Sequence, residues 1–220
     1  MIKHVFFDFN GTIINDLDLC FNLLNEFLEE QGKEKVTKER YKDIFRFPIK
    51  EYYKLAGIDF DIESYESLSI KFIKKYQPAS LKCGLYDAVI PTLKKLNEKN
   101  IKCYIISASE KNNLYEQCLS YDIVKYFVDI LGIKNIHAKS KVDIAVNYIN
   151  EKKLNKDEVI FIGDTLHDVE VAKAMGVKPL LVSCGHQSVN VLKAANVKIY
   201  DDVSGVLEEI ENEGISKWGF

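Results

Sequence analysis

Residues 4–14 read HVFFDFNGTII. An apolar run, Val5-Phe6-Phe7, ends on a carboxylate, Asp8, and the turn-forming pair Asn10-Gly11 follows. Two structures fit this stretch. In one, a buried strand over Val5–Phe9 presents Asp8 at its carboxyl end, where open parallel sheets collect their ligands. In the other, Asn-Gly is the tip of a β-hairpin, a strong short-range turn signal. A calcium loop starting at Asp8 fits poorly, because it puts Ile13 where glycine is needed and Leu19 where the bidentate glutamate belongs.

The remainder of the chain decides which environment this segment meets. Further apolar runs of strand length occur at Ile101–Ile106, Phe127–Leu131, Val159–Ile162, Leu180–Val182 and Val197–Tyr200. They are continuous rather than alternating, as expected of strands covered on both faces. Helical periods separate them: Val89, Leu93 and Leu96 share one face, and Val142, Ala145, Val146 and Ile149 another, the latter after a candidate cap at Ser140. Asp202, Val203, Val206, Leu207 and Ile210 suggest a last helix. Strand–helix alternation from about residue 81 onward predicts βαβ units and a parallel sheet.

Residues 16–80 are of another kind. Leu17, Phe21, Leu24 and Leu28 form one helical face, and Lys38–Phe45, Ile49–Ala56 and Ile62–Tyr76 also read as helices, with breaks at Gly32, Pro48, Gly57 and Pro78. No strand is expected there. The chain thus divides into an α/β core, 1–15 with 81–220, and an all-α insert, 16–80, that caps the edge of the sheet.

Composition narrows the function. The chain has 220 residues, enough for a large core, and 47% are hydrophobic. Its 33 acidic residues against 30 basic ones are scattered along the sequence, which argues against nucleic-acid binding by bulk charge. No apolar run approaches membrane-spanning length, so a cytoplasmic protein is expected. Cys20, Cys83, Cys103, Cys118 and Cys184 have neither a C-x-x-C pair nor zinc spacing and read as reduced thiols.

The polar groups following each strand form a chemical set. Asp8, Asn10 and Thr12 follow the first, Ser107 and Ser109 the second, and Gly163-Asp164-Thr165-Leu166-His167-Asp168 the fourth; Lys139 and Lys141 lie at the start of a helix. Asp8, Asp164 and Asp168 can hold Mg²⁺, which prefers hard oxygen ligands. Lysine and metal together neutralise a phosphoryl group that a carboxylate can then attack. Taken singly, each residue has a plainer reading. Asp168 suits the first turn of any helix, Ser107 is a strand-end serine, and Lys141 is a solvated helix lysine.

In this order, DFNGT (8–12), IISAS (105–109), the lysine of KSKVD (139–143) and GDTLHD (163–168) resemble the four motifs of the haloacid dehalogenase superfamily of phosphohydrolases. The helical block after the first motif resembles the cap of the phosphoglycolate-phosphatase-like branch. The resemblance spans essentially the whole chain. It implies a Rossmann-like core with helices on both faces, Mg²⁺ dependence, and hydrolysis of a small phosphorylated metabolite by a monomer or homodimer. Asp8 is then nucleophile and metal ligand, with the Asn10 backbone carbonyl, Asp164 and Asp168 as further ligands. Lys141 fits the family's lysine better than Lys139, because it opens the periodic helix. The phosphate would be held by Ser107, Ala108 and Lys141 and by the Asn10-Gly11-Thr12 turn. Arg46, in the cap turn FRFPIKEYY, is a candidate for an anionic part of the substrate; the alternative is a solvated turn over an aromatic cap core.

One position departs from the family. In its phosphatases the residue two after the nucleophile is an aspartic acid that protonates the leaving oxygen and later activates water. Here it is Asn10, which cannot donate and retrieve a proton at ordinary pH. Such a group typically contributes ~10²–10⁴-fold. Three expectations follow: a slow or narrow phosphatase favouring good leaving groups, with His167 as a remote substitute acid; a metabolite-binding or regulatory protein on the same fold; or an amide that is deamidated to aspartate, or introduced by substitution.

Overall fold

A computed structural model of the protein describes residues 1–133 and 140–216. The chain begins with strand β1 (His4–Phe7) and enters four helices, α1 (Leu17–Glu30), α2 (Lys38–Ile44), α3 (Ile49–Ala56) and α4 (Tyr65–Ser80). It continues through α5 (Val89–Glu98), β2 (Lys102–Glu110), α6 (Lys111–Ser120) and β3 (Phe127–Ile133). Then follow α7 (Lys141–Glu151), β4 (Val159–Gly163), α8 (Leu166–Met175), β5 (Lys178–Val182), α9 (Val189–Leu192), β6 (Ile199–Tyr200) and α10 (Gly205–Ser216). The six strands form one parallel sheet in the order β3-β2-β1-β4-β5-β6. The expected α/β architecture with a parallel sheet is present.

Side chains on a strand alternate between faces, and both faces of this sheet are covered. Val5 and Phe7 pack with Cys103, Ile105, Ile160 and Ile162 in one apolar layer. Phe6 packs with Tyr104, Ile106, Val159 and Phe161 in the other, against Ala145 and Ile149 of α7 and Val171 and Met175 of α8. This two-sided burial accounts for continuous apolar runs without alternation. β1 lies at the centre, flanked by β2 and β4, so the strand order reverses beside it. That reversal is where open α/β sheets form their ligand crevice.

Between residues 16 and 80 the regular structure is helical. α1 to α4 enclose a separate apolar cluster of Leu24, Phe27, Leu28, Tyr41, Tyr52 and Leu68. Thr37 and Ser64 cap α2 and α4 by accepting the N–H groups of Arg40 (3.1 Å) and Ser67 (3.2 Å). Ser140 caps α7 as expected, through the N–H of Asp143 at 3.1 Å. Pro78 is not a break. It lies inside α4, which runs on to Ser80. The last turn is fastened from outside: Gln117 Nε2 donates to Ser80 Oγ at 2.7 Å and the Tyr121 hydroxyl donates to the Ser80 carbonyl. These tertiary bonds fix the helix end beyond the proline. Nor is Asn10-Gly11 the tip of a two-strand hairpin. The Phe9 carbonyl accepts from the N–H groups of Ile13 (2.9 Å) and Ile14 (3.0 Å), closing a compact loop.

All five cysteines are free. Among the described residues no helix is long and apolar enough to cross a membrane. The C-terminal helix is held by a buried carboxylate. Glu209 accepts from Lys178 Nζ (2.5 Å), Lys198 Nζ (2.6 Å) and the Tyr200 hydroxyl (2.8 Å). Burial alone would raise its pKa, but these hydrogen bonds outweigh it and bring it down to about 2 from 4.5. A folded-state value below the unfolded one means that the contribution is full above pH 4.5 and is lost as pH falls toward 2. Glu209→Gln should therefore lower the melting temperature at neutral pH and flatten the acid loss of stability in that window. Thermal melts across pH would check this; identical pH profiles would refute it.

Candidate active site

Asp8 is the first residue beyond β1, held there because its N–H continues the ladder to the Ile162 carbonyl at 2.9 Å. Asp164 follows β4 in the same way, and Asp168 lies in the first turn of α8. Oxygen atoms of Asp8, Asp164 and Asp168 all lie within 4.8 Å of one another, and the three residues are buried. Lys141, the first residue of α7, reaches into them. Its Nζ donates to Asp8 Oδ1 and, at 2.5 Å, to Asp168 Oδ1, while sitting 5.4 Å from the Phe161 ring centre. Lys139 lies outside the described residues.

Asp168 has two sets of partners. Its Oδ2 closes a capping box, accepting from Thr165 N (2.9 Å) and Oγ1 (2.7 Å), while Oδ1 faces the lysine. Asp164 is held by the Thr12 hydroxyl on Oδ1 (3.3 Å) and the His186 N–H on Oδ2 (2.6 Å). Two glycines make room for it. A Cβ on Gly185 would come within 2.1 Å of Asp164 Oδ2, and one on Gly11, whose φ of +72° already disfavours a side chain, within 2.3 Å.

Burial sets the electrostatics. It pushes the Asp8 carboxyl up, against the pull of Lys141 and with added repulsion from Asp168 and Asp164. Asp164 is pushed up to about 6, mainly by burial. Asp168 goes the other way, because the charge and hydrogen bond of Lys141 outweigh burial. Lys141 itself is raised despite burial, since Asp168 and Asp8 favour its charged form. Three buried carboxylates against one lysine leave a negative excess in a hard-oxygen donor set, which suits Mg²⁺.

Asn10, half-buried, joins a hydrogen-bond relay around the buried Asp16. Its Nδ2 donates to Asp16 Oδ2 (2.9 Å) and to the Tyr76 hydroxyl (2.6 Å), and Tyr76 in turn donates to Asp16 Oδ2 (2.6 Å). Its Oδ1 accepts from the hydroxyls of Ser107 (3.3 Å) and Ser109 (3.2 Å). Asp16 Oδ1 accepts from the Gly11 N–H (2.9 Å) and pairs with His186 Nε2 (3.2 Å), whose Nδ1 meets the Tyr41 hydroxyl (2.8 Å). The pairing with His186 holds the Asp16 carboxyl down against burial, and Asp16 in turn raises His186. The amide at position 10 thus supplies donors to an ionised acid.

The sequence-derived set is largely assembled here, except for Gly11, Thr12, Ser107, Arg46 and His167. Asp8, Asn10, Ala108, Lys141, Asp164 and Asp168 line a cavity of about 380 Å³ between the sheet edge and the helices of residues 16–80. Gly11 and Thr12 are off the cavity wall, their N–H and hydroxyl engaged by Asp16 and Asp164. Ser107 turns its hydroxyl to Asn10. Arg46 is exposed and off the cavity wall, folded onto the Ile44 carbonyl at 3.1 Å, because Phe45 takes the inward position of that turn. His167 pairs with Glu170 (2.9 Å) and its ring lies tilted 4.8 Å from that of Phe47, also off the wall. Asp16, Tyr76 and His186 were not expected, while Ser109, named with Ser107 among the groups after the second strand, lines the cavity. His186 follows β5 and was open to the strand-end rule; Asp16 and Tyr76 carried no local signal.

Comparison with known proteins agrees with this geometry. Residues 5–182 match the family model of the haloacid dehalogenase-like hydrolases. The chain is 22% identical over 219 residues to a phosphoglycolate phosphatase from Vibrio parahaemolyticus, covering 95% of this chain and 96% of the other. It is 22% identical over 181 residues to the pyrophosphatase PpaX from Anoxybacillus flavithermus, covering 80% and 81%. A haloacid dehalogenase-like family hydrolase from Streptococcus pneumoniae superposes with a TM-score of 0.80 at 20% identity, over 95% and 98% of the two chains. A parallel sheet with its strand reversal at β1, acidic groups at the ends of β1 and β4, and a family match over most of the length leave one assignment: the chain belongs to the haloacid dehalogenase-like hydrolases, on the phosphoglycolate-phosphatase-like branch.

Proposed function

We propose that the protein is a Mg²⁺-dependent phosphomonoester hydrolase that acts through an aspartyl-phosphate on a small phosphorylated metabolite in the cytoplasm. The observation that carries this reading is the meeting of Asp8, Lys141, Asp164 and Asp168 at the carboxyl ends of β1 and β4, under a cavity open to a small molecule. Asp8, the backbone carbonyl of Asn10, Asp164 and Asp168 would hold the cation. Bound there, it would neutralise phosphoryl charge. Asp8 attacks phosphorus. Lys141 orients the Asp8 carboxylate and balances charge. Residues 16–80 act as a cap that admits substrate and excludes water, with 1–15 and 81–220 as the core.

The Asn10 network favours a second reading as well. An amide fully used in structural hydrogen bonds suits a protein that binds a phosphorylated metabolite without turning it over. A phosphate-release assay separates the two. Multiple turnovers with Mg²⁺ support the enzyme; tight binding with no release over hours supports the binding protein. For the enzyme, chelation with EDTA should abolish turnover and added Mg²⁺ should restore it. Millimolar Mg²⁺ should also raise the melting temperature, because only the folded chain assembles the carboxylates. Undiminished turnover in EDTA would rule out the metal.

A further inference from the structure

We infer that the group leaving from the phosphoryl site is an uncharged, mainly aromatic alcohol, so that the substrate class is an aryl-type phosphomonoester rather than a short anionic one. This rests on the phosphatase reading and narrows it.

Two separate observations carry the inference. The first is the cavity wall opposite the carboxylates. Cap helices and their connections supply Phe45, Phe47, Tyr52, Tyr65, Phe72 and Ile73. Phe47 and Ile73 are still 38% and 51% exposed, apolar surface that a ligand body would cover. Among the described residues, the cationic groups on the wall are Lys141 and His186, and both already face carboxylates. Arg46 is turned away, and Lys50 sits over the rings of Phe60 and Tyr65 at 5.5 and 5.8 Å. Glu110 adds a negative charge to the wall. A second anionic group on the substrate would be desolvated against aromatic carbon without a counter-charge. That disfavours phosphoglycolate and pyrophosphate, the compounds for which the relatives are named.

The second observation is Asn10. Without an acid to protonate the leaving oxygen, departure depends on the acidity of the alcohol. An aryl oxide can leave with the electron pair of its P–O bond as the Asp8 Oδ–P bond forms, and then take a proton from water. In the second step a water oxygen bonds to phosphorus and gives a proton to solvent, matching the one the aryl oxide took, while the Asp8 Oδ–P bond breaks with its electron pair returning to Asp8 and inorganic phosphate is released. The wall selects an aromatic body, and the missing acid tolerates one.

The test is kcat/KM with Mg²⁺ for 2-naphthyl phosphate, phenyl phosphate, acetyl phosphate and phosphoglycolate. Naphthyl and phenyl leaving groups are of similar acidity but differ in apolar area, so their ratio reports the wall. Naphthyl phosphate should exceed phenyl phosphate by about tenfold, and phosphoglycolate by about a hundredfold or more. Phe72→Ala should shrink the naphthyl-to-phenyl ratio through KM, and Ile73→Arg, at an exposed position, should raise phosphoglycolate relative to naphthyl phosphate. If acetyl phosphate is hydrolysed while naphthyl phosphate has no advantage over phenyl, or phosphoglycolate matches it, the aryl assignment is overturned and the phosphatase stands. If acetyl phosphate and all the others are inert, the phosphatase reading itself fails.

Discussion

Asp8→Asn should reduce phosphate release from every phosphomonoester on the order of 10⁴-fold or more, because it removes the atom that bonds to phosphorus. The fold should survive. Asp8 is buried and its carboxyl is pushed up by that burial, so a neutral side chain of the same shape relieves a desolvated charge. Lys141 keeps a partner in Asp168. Melting temperature near or above that of the wild type, with no burst of phosphate in a single turnover, is the expected result. Lys141→Met removes the cation instead, leaves Asp8 and Asp168 facing each other unpaired, and should cost about 3–5 kcal/mol of stability as well as turnover. An Asp8→Asn enzyme retaining more than about 1% of wild-type kcat would show that another group is the nucleophile.

Asn10→Asp has a less obvious outcome, because Asp16 stands in its way. Asn10 Nδ2 donates to Asp16 Oδ2 at 2.9 Å, so the substitution sets two carboxylates at hydrogen-bond distance, one half-buried and one, Asp16, fully buried. Both cannot ionise there, and one must hold a proton. Asp16 keeps its charge through His186, so the new acid should be the protonated one and able to serve a leaving group, but its single O–H replaces the two donors that the amide gave to Asp16 and Tyr76. The single variant should melt lower and gain only part of the ~10²–10⁴-fold that a positioned acid supplies. Adding Asp16→Asn restores a donor opposite an acceptor, and should recover stability and raise turnover of alkyl phosphates further. Across the cycle of wild type, two singles and double, the coupling should be about 0.5–3 kcal/mol in stability. Neither variant raising turnover would mean that the amide is not what limits this protein. Partial deamidation at Asn10, seen as a mass gain in the peptide containing it, would mimic the single variant.

The relation between the two acidic positions shows where sequence reading stops. Sequence spacing placed Asp8 at a strand end and Asp164 at another, because a strand buried on both faces is written as an unbroken apolar run whose end is visible. The helix signals were equally local: Ser140 before a periodic run did cap α7. By contrast, what Asn10 touches depends on Tyr76, 66 residues away, and on Ser107 and Ser109 across the sheet. The amide looked like a missing acid; in the folded protein it is a donor matched to Asp16. Arg46 shows the same limit. A basic residue in an aromatic turn is legible, but which of Phe45 and Arg46 points inward is set by backbone direction after α2 packs.

The sequence by itself thus determined the parallel α/β sheet, the helical insert and the order of the four motifs, since strand burial, helix periodicity and capping are encoded within a few residues. It also carried the family match over residues 5–182. Only the tertiary structure decided that Lys141 bridges Asp8 and Asp168, that His186 closes on Asp16, and that the cavity roof is aromatic and without a free cation among the described residues. The reason is physical. Charge pairing in a buried site depends on distances of a few ångströms between groups far apart in the chain, and those distances exist only once the helices of residues 16–80 have packed over the sheet edge.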